Sequence, residues 1–158
     1  MESPVSLLEA AAGIINASTP LPWLLVTGQP SAEQLAALQA AGVSTVIDLR
    51  EAMEPRPFDE PGIVRGLGMR YVNTPVVSGA VDDPTMDAIL EALRTASGTP
   101  TLMHCNSANR TGGALIAYLM LDEGLDESSA VDAAMRSGLR SAEYLEWATG
   151  YARDHLSS

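Results

Sequence analysis

The stretch TPTLMHCNSANRTGGALIAYLM, residues 99–120, decides the fold. Its first six residues form a short, largely apolar run, which predicts a strand that ends just before Cys105. After Arg110 the residues are nearly all apolar, which predicts a buried central helix. The residues between these two elements therefore form a strand-to-helix loop. In α/β proteins, such loops carry ligand sites at the carboxyl ends of the strands.

The flanking sequence continues the same alternation of strands and helices. Residues 51–68 contain three prolines, three glycines and mixed charge, and are predicted to be a loop. The other predicted strands are WLLVT (23–27), STVIDLR (44–50) and MRYVNTPVV (69–77). The other predicted helices are SAEQLAALQAAG (31–42), DDPTMDAILEALRTA (82–96) and two more after residue 125. This order predicts an α/β fold with a mainly parallel central sheet flanked by helices.

Four residues are predicted to cap helices. Ser31 precedes its helix with Gln34 three residues later, which is the pattern of a capping box. Asp83 is predicted as the N-cap of the helix that follows, because Pro84 then occupies its first turn. Asp126 and Ser141 are predicted to cap the last two helices.

The composition describes a globular protein of one domain, residues 1–158, with residues 1–20 as a peripheral N-terminal extension. Of the residues, 46% are hydrophobic and 18% are charged, and no apolar run is long enough to cross a membrane. The single cysteine excludes an intramolecular disulfide and favours a reducing compartment, so we expect a cytoplasmic protein without a signal peptide. No residue pattern predicts an oligomeric state.

The net charge of −11 argues against two classes of partner, nucleic acid and anionic membrane. If the substrate is an anion, a local pocket must capture it, because the overall field of the protein repels it.

The loop after the predicted strand combines the groups that such a pocket needs. Cys105 is a nucleophile whose thiolate form is favoured by the helix dipole, by Arg110 and by a hydrogen-bond network that includes His104. Arg110 offers a planar fork that can hold two oxygens of a tetrahedral oxyanion. The loop amides point toward the same anion. The predicted substrate-binding residues are Asn106, Ser107, Ala108, Asn109 and Arg110.

The segment HCNSANRTGGALIAYLM, residues 104–120, resembles the active-site segment of cysteine-dependent phosphatases of the dual-specificity type, which reads H-C-x5-R-[ST]-G. This chain has one residue fewer between cysteine and arginine, C-x4-R. Together with GQPSAEQLAALQAAGVSTVIDLR, residues 28–50, it resembles a bacterial group that includes the phosphatase-like domain of beta-lactamase-hydrolase-like proteins. The likeness covers residues 24–140.

The resemblance implies a dual-specificity phosphatase-like fold and hydrolysis of a phosphomonoester through a phosphocysteine on Cys105. The substrate would be a phosphorylated protein, with phosphotyrosine or phosphoserine, or a small phosphomonoester. Arg110 and the loop amides would hold the phosphoryl oxygens, and Thr111 would stabilise the departing cysteine sulfur. No metal or other cofactor is predicted, because no His, Asp and Cys cluster lies at ligand spacing.

The general acid that protonates the leaving group is predicted to be Asp82, since the resemblance places it on the loop before the 82–96 helix and Asp83 is taken as the cap. Asp59, Glu54 and the absence of any acid remain open alternatives.

Two departures from the phosphatase pattern leave other functions open. Ala108 stands where the group usually has glycine, and a positive φ there would cost about 1–2 kcal/mol unless Asn106 or Asn109 adopts it instead. The C-x4-R spacing also occurs in rhodanese-type sulfurtransferases, which VIDLRE resembles too. The alternatives are therefore sulfur transfer through a Cys105 persulfide and an inactive oxyanion-binding module. His104, Thr111 and the buried helix favour the phosphatase.

Overall fold

The computed structural model describes residues 6–55 and 57–157. Its centre is a five-stranded sheet in the order β1-β2-β5-β3-β4. Strand β1 pairs with β2 in the antiparallel sense, and the other neighbours are parallel. The strands are β1 Ser18–Leu21, β2 Leu24–Thr27, β3 Thr45–Asp48, β4 Arg70–Asn73 and β5 Thr101–His104. The predicted α/β fold with a mainly parallel sheet is confirmed.

Helices cover both faces of the sheet. They are α1 Leu7–Ala10, α2 Ala32–Ala40, α3 Glu60–Gly66, α4 Asp83–Ala96, α5 Asn109–Leu121, α6 Glu127–Arg136 and α7 Ala142–Leu156. Successive side chains of a strand point to opposite faces, and the central strand β5 feeds two cores in this way. Leu102 packs with the core of α1, α2 and α3, whereas Met103 packs with the core of α4 to α7.

The helix predicted after Arg110 is confirmed as α5, and it is buried continuously from Thr111 to Met120. Two glycines let its neighbours approach closely. A Cβ at Gly112 would lie 2.6 Å from Leu139 Cβ, and one at Gly113 would lie 3.2 Å from Tyr144 Cβ. Across both described ranges, no helix combines the length and apolar character that a membrane span requires.

The capping predictions hold for Ser31, Asp126 and Ser141, whose side chains accept hydrogen bonds from the first turns of their helices. The prediction for Asp83 is wrong. The cap of α4 is Asp82, which accepts a hydrogen bond of 2.9 Å from the Thr85 N–H, so the helix begins at Asp83. Proline is tolerated throughout the first turn of a helix, so Pro84 did not distinguish the two aspartates.

The prediction that residues 51–68 are a loop is wrong in its second half, which contains α3. Asp59 caps this helix by accepting a hydrogen bond from the Gly62 N–H, and Pro61 lies in the first turn. An aspartate followed by a proline in the first turn is a helix-start signal that the glycines obscured.

The N-terminal segment is integrated into the fold rather than peripheral. Its residues Leu7, Ala11 and Ile14 are buried in the core of α1 to α3, and β1 forms an edge of the sheet. Residues 1–5 lie outside the described residues.

The close packing around α5 predicts opposite effects of the same substitution at two helical glycines. Gly112→Ala should lower the free energy of unfolding by about 1–3 kcal/mol, because the added methyl overlaps Leu139. Gly150→Ala is the matched control in α7, where a Cβ meets nothing within 4 Å, and it should raise that free energy by about 0.5–1 kcal/mol. Urea unfolding measures both. Equal stability of Gly112→Ala and the unsubstituted protein would contradict the packing.

Candidate active site

Cys105 follows β5 directly and is fully buried at the carboxyl edge of the sheet. The two parallel neighbours of β5 end at the same level, since Thr27 and Asp48 both pair with His104. The Cys105 N–H donates to the Thr27 carbonyl at 3.4 Å, which extends the strand pairing by one residue. The nucleophile is thus fixed by the central strand before the loop begins.

Three consecutive carbonyls of the loop, those of Cys105, Asn106 and Ser107, accept hydrogen bonds from donors outside the cysteine loop. Because a carbonyl can only accept, these bonds fix the direction of each peptide plane. The donors, in order, are His104 Nδ1 at 3.2 Å, the Gln29 N–H at 3.0 Å and Asn16 Nδ2 at 2.8 Å.

The amide groups of the loop consequently point the other way. In a trans peptide the carbonyl and the next N–H are antiparallel, and no cis peptide occurs in the described residues. The N–H groups of Asn106, Ser107 and Ala108 therefore face away from the outer donors. Within residues 6–55 and 57–157 none of these three N–H groups has an acceptor. Unpaired amides that converge in this way form a cradle for an anion.

The N-terminus of α5 continues the cradle because no side chain caps it. The cap position is Ala108, with φ 68° and ψ 15° and no side-chain hydrogen bond. The six other helices of the described ranges each have a capping side chain: Ser6, Ser31, Asp59, Asp82, Asp126 and Ser141. The free N–H groups and the positive end of the α5 dipole thus face the anion position.

The left-handed conformation falls on Ala108 itself and not on Asn106 or Asn109. It costs about 1–2 kcal/mol for a residue with a Cβ. Gly138 packs directly against this alanine, and a Cβ at Gly138 would lie 2.9 Å from the Ala108 Cβ. The strained Ala108 is therefore fully buried, and there is room for it because Gly138 has no side chain.

The side chain of Asn109 points away from the cradle. Its Oδ1 accepts hydrogen bonds from the N–H groups of Arg140 at 2.8 Å and Ser141 at 3.1 Å. This contact ties the start of α5 to the start of α7. Asn109 thus contributes to the cradle through its backbone, as do the exposed residues Asn106 and Ser107.

Arg110, in the first turn of α5, forms a two-point ion pair with Glu54. Its Nη1 and Nη2 donate to the two carboxylate oxygens at 2.6 and 2.7 Å. These hydrogen bonds outweigh desolvation and hold the pKa of Glu54 at about 2, and they raise the pKa of Arg110 above its usual value. Glu54 occupies only the outer end of the guanidinium. The Nε–H, for which the described residues supply no acceptor, remains available to an oxyanion.

Arg50 supports the segment that carries Glu54. This buried guanidinium donates to the Pro55 carbonyl and to the Gln29 side chain, and its Nε lies 3.5 Å from the Glu54 carboxylate. The Glu51 N–H also donates to Glu54, at 2.5 Å. Arg50 therefore helps to hold in place the segment that carries Glu54.

His104 belongs to a buried polar cluster with Glu60 and Asp48. Its Nε2 lies 2.5 Å from a Glu60 oxygen and 3.9 Å from Asp48. Burial lowers the pKa of His104, but the hydrogen bond and charge of Glu60, with the charge of Asp48, raise it by more, so the net shift is upward. The imidazolium form is thus favoured, and its Nδ1–H holds the Cys105 carbonyl.

The sequence showed no cluster at metal-ligand spacing, but the fold assembles one from Asp48, Glu60 and His104. Their candidate ligand atoms lie within 4.8 Å of one another. Each side chain is already engaged in hydrogen bonds: Asp48 with Tyr71 and the Arg50 N–H, Glu60 with Gln29 and His104. These bonds account for the arrangement as a carboxylate–imidazole network.

The two remaining predicted residues, Thr111 and Asp82, lie in different surroundings. Thr111 is fully buried at the start of α5, and its Oγ1 has no hydrogen-bond partner among the described residues. Asp82 is exposed in a separate cavity of about 310 Å³, beside Asn73, Thr74 and Thr85. Hydrogen bonds from Thr85 lower the pKa of Asp82. No hydrogen bond or ion pair in the described parts of the chain joins Asp82 to Cys105 or Arg110.

Three residues around the loop were not predicted from the sequence: Asn16, Gln29 and Glu60. Each reaches the loop or His104 from a distant part of the chain. Only Glu60 had a local signal, because it opens the helix that Asp59 caps.

Comparison with known proteins supplies relatives, although no family model matches the chain. The dual specificity protein phosphatase TpbA of Pseudomonas aeruginosa is 28% identical over 141 residues, which are 88% of this chain and 62% of TpbA. A beta-lactamase hydrolase-like protein of Xylella fastidiosa is 28% identical over 101 residues, 61% of this chain and 22% of that protein. The chain thus spans about three fifths of TpbA.

Solved structures agree with this similarity. A phosphatase-like DUF442 protein from Shewanella putrefaciens superposes with a TM-score of 0.77 at 24% identity, covering 93% of this chain and 97% of that one, which shows the shared fold. A cysteine-to-serine variant of P. aeruginosa TpbA, in complex with phosphotyrosine, has a TM-score of 0.69 at 26% identity, covering 88% and 83%. The comparisons confirm the resemblance predicted from the cysteine segment: this chain is similar to the dual specificity protein phosphatase TpbA and to a beta-lactamase hydrolase-like protein.

Proposed function

We propose that the protein hydrolyses a phosphomonoester through a phosphocysteine intermediate on Cys105. The observation that supports this most is the cradle, in which a buried cysteine is followed by unpaired loop amides and an uncapped helix N-terminus. Such an arrangement stabilises the charge that develops on the phosphoryl oxygens in the transition state. The similarity to TpbA supports the same chemistry.

In the first step the Cys105 thiolate attacks phosphorus, and the bond from phosphorus to the leaving oxygen breaks. The positive end of α5 and the Arg110 guanidinium attract the anionic phosphoryl group to the cysteine. The amides of the loop and the Nε–H of Arg110 hold the three non-bridging oxygens. The bond between His104 Nδ1 and the Cys105 carbonyl keeps the cysteine backbone in place.

In the second step water attacks the phosphocysteine. The S–P bond breaks, inorganic phosphate forms and the Cys105 thiolate is regenerated. The Thr111 hydroxyl, which directly follows Arg110 in the chain and is buried without a hydrogen-bond partner among the described residues, donates a hydrogen bond to the departing sulfur. Both steps return the protein to its starting state without a cofactor.

The state of the carboxylates favours an aryl phosphate, such as phosphotyrosine, as substrate. Asp82 and Asp59 cap helices, and Glu54 is paired with Arg110, so each of these carboxylates already accepts hydrogen bonds from the protein. A phenolic oxygen needs less help from a general acid than an aliphatic one. The complex of TpbA with phosphotyrosine is consistent with this choice.

The proposal predicts a covalent phosphoryl adduct. Brief incubation with p-nitrophenyl phosphate, acid quenching and intact-mass spectrometry should detect a phosphoryl group that peptide mapping assigns to Cys105. Cys105→Ser is the control and should give neither adduct nor turnover. Incubation with thiosulfate should leave Cys105 unmodified. A persulfide with thiosulfate and no phosphoryl adduct would indicate sulfur transfer, and no adduct with either reagent would indicate an inactive anion-binding module.

The ion pair of Glu54 predicts a pH-dependent contribution to stability. The pKa of Glu54 lies at about 2 in the folded protein, below its ordinary value of 4.5, so the pair stabilises the fold above pH 4.5 and loses this effect as the pH falls toward 2. Glu54→Gln should therefore be less stable than the unsubstituted protein at pH 7, with a difference that shrinks below pH 4.5. Urea unfolding of both proteins from pH 3 to pH 7 measures this. A constant difference would contradict the pairing.

Asp82 as the general acid remains a prediction, and it requires this carboxylate to release Thr85 and bind a proton when substrate is present. If so, Asp82→Asn should slow hydrolysis of phenyl phosphate by about 10²–10⁴-fold and that of p-nitrophenyl phosphate much less, because p-nitrophenolate leaves unprotonated. Asp83→Asn is the matched control and should change neither rate. An equal effect of Asp82→Asn on both substrates would remove Asp82 from the mechanism and leave the aryl oxygen to depart unassisted.

A further inference from the structure

We infer that Asn16 is a positioning residue of the cradle, which holds the peptide between Ser107 and Ala108 in its anion-binding orientation. The inference rests on the proposed function. Asn16 Nδ2 donates to the Ser107 carbonyl at 2.8 Å, across 91 residues of sequence. This bond keeps the carbonyl outward and therefore keeps the Ala108 N–H inward.

The backbone strain at Ala108 explains why this peptide needs to be held. Rotation of the peptide by 180° would carry φ of Ala108 from 68° to about −112°, out of the left-handed region that is costly for a residue with a Cβ. The rotation would also turn the Ser107 carbonyl toward the bound anion and repel it. The backbone strain thus favours the peptide orientation that cannot bind an anion, and the hydrogen bond from Asn16 opposes the rotation into that orientation.

Asn16 is itself held for this contact. Apart from Ala108, it is the only non-glycine residue with a positive φ in the described ranges, at 54°. Its neighbour Ile15 accepts a hydrogen bond of 2.8 Å from the Gly28 N–H, and a Cβ at Gly28 would lie 2.2 Å from the Ile15 side chain. Gln29, the next residue, holds the Asn106 carbonyl. The two outer donors are therefore fixed to each other.

The same segment also touches the other side of the loop. The Ser18 hydroxyl donates to the Ser137 hydroxyl at 2.8 Å, next to Gly138, which packs against Ala108. Residues 15–18 thus bond the loop at Ser107 and also bond Ser137, the residue that precedes Gly138. This double contact makes the N-terminal segment part of the anion site.

The test compares orthovanadate binding in variants of the full chain. Asn16→Gly removes the donor but keeps a residue suited to a positive φ. Loss of one hydrogen bond predicts about three- to tenfold weaker binding of orthovanadate by calorimetry, with a similar fall in kcat/KM for p-nitrophenyl phosphate. Asn16→Asp, which keeps the size but cannot donate, should weaken binding at least as much. Ser6→Ala is the matched control, because it removes the cap of α1 without touching the loop, and it should bind as the unsubstituted protein does.

A second measurement separates positioning from a general structural effect. Ala108→Gly removes the backbone strain that favours rotation of the peptide. Asn16→Gly should therefore weaken orthovanadate binding far less in the Ala108→Gly variant than in the protein that retains Ala108. Thermal unfolding of each variant reports any loss of fold. A purely structural role of Asn16 predicts the same loss in both backgrounds and would overturn the inference, as would unchanged binding in both Asn16→Gly and Asn16→Asp. Failure of the unsubstituted protein to bind orthovanadate and to form an adduct would instead refute the proposed function.

Discussion

The uncapped N-terminus of α5 is the constraint on which the site depends. This helix is buried from Thr111 to Met120, and it costs free energy to leave the first N–H groups of such a helix without a hydrogen-bond partner. No side chain caps it, however. The loop before it adds further inward amides, because outer donors hold its carbonyls. An anion bound at the proposed site would therefore complete the hydrogen bonding of the protein. The surroundings favour negative charge at one point of a molecule that carries a net charge of −11.

Acidic groups near the site are controlled by pairing. Glu54 is held by Arg110 and Glu60 by His104, so neither faces the cradle as an unpaired charge. Each pair also fixes a residue that the loop needs. Glu54 orients the guanidinium and leaves its Nε–H free, and Glu60 orients the imidazole that holds the Cys105 carbonyl. The carboxylates of Glu54 and Glu60 thus support residues of the site and do not compete with an anion.

The residues of the loop could be predicted because Cys105, Ala108 and Arg110 follow one another between a strand and a helix with strong local patterns. The mainly parallel sheet followed from the alternation of strands and helices. Long-range contacts could not be read in this way: Asn16 lies 91 residues from its partner, and Glu60 lies 44 residues from His104. The N-cap of α4 was assigned to Asp83 in place of Asp82 because both aspartates are good caps. Which of the two caps the helix depends on the path of the chain from β4 to α4.

The span of chain that meets at the loop has a consequence for folding. Asn16 must reach Ser107, and Ser18 must reach Ser137, 119 residues away. Contacts between such distant residues form slowly, because closing a long segment of chain is entropically unfavourable until other contacts support it. During synthesis, residues 15–18 leave the ribosome well before their partners do, and they gain these contacts only after the strand and helix around Cys105 exist. The ability to bind an anion should therefore be among the last properties that the folding chain acquires.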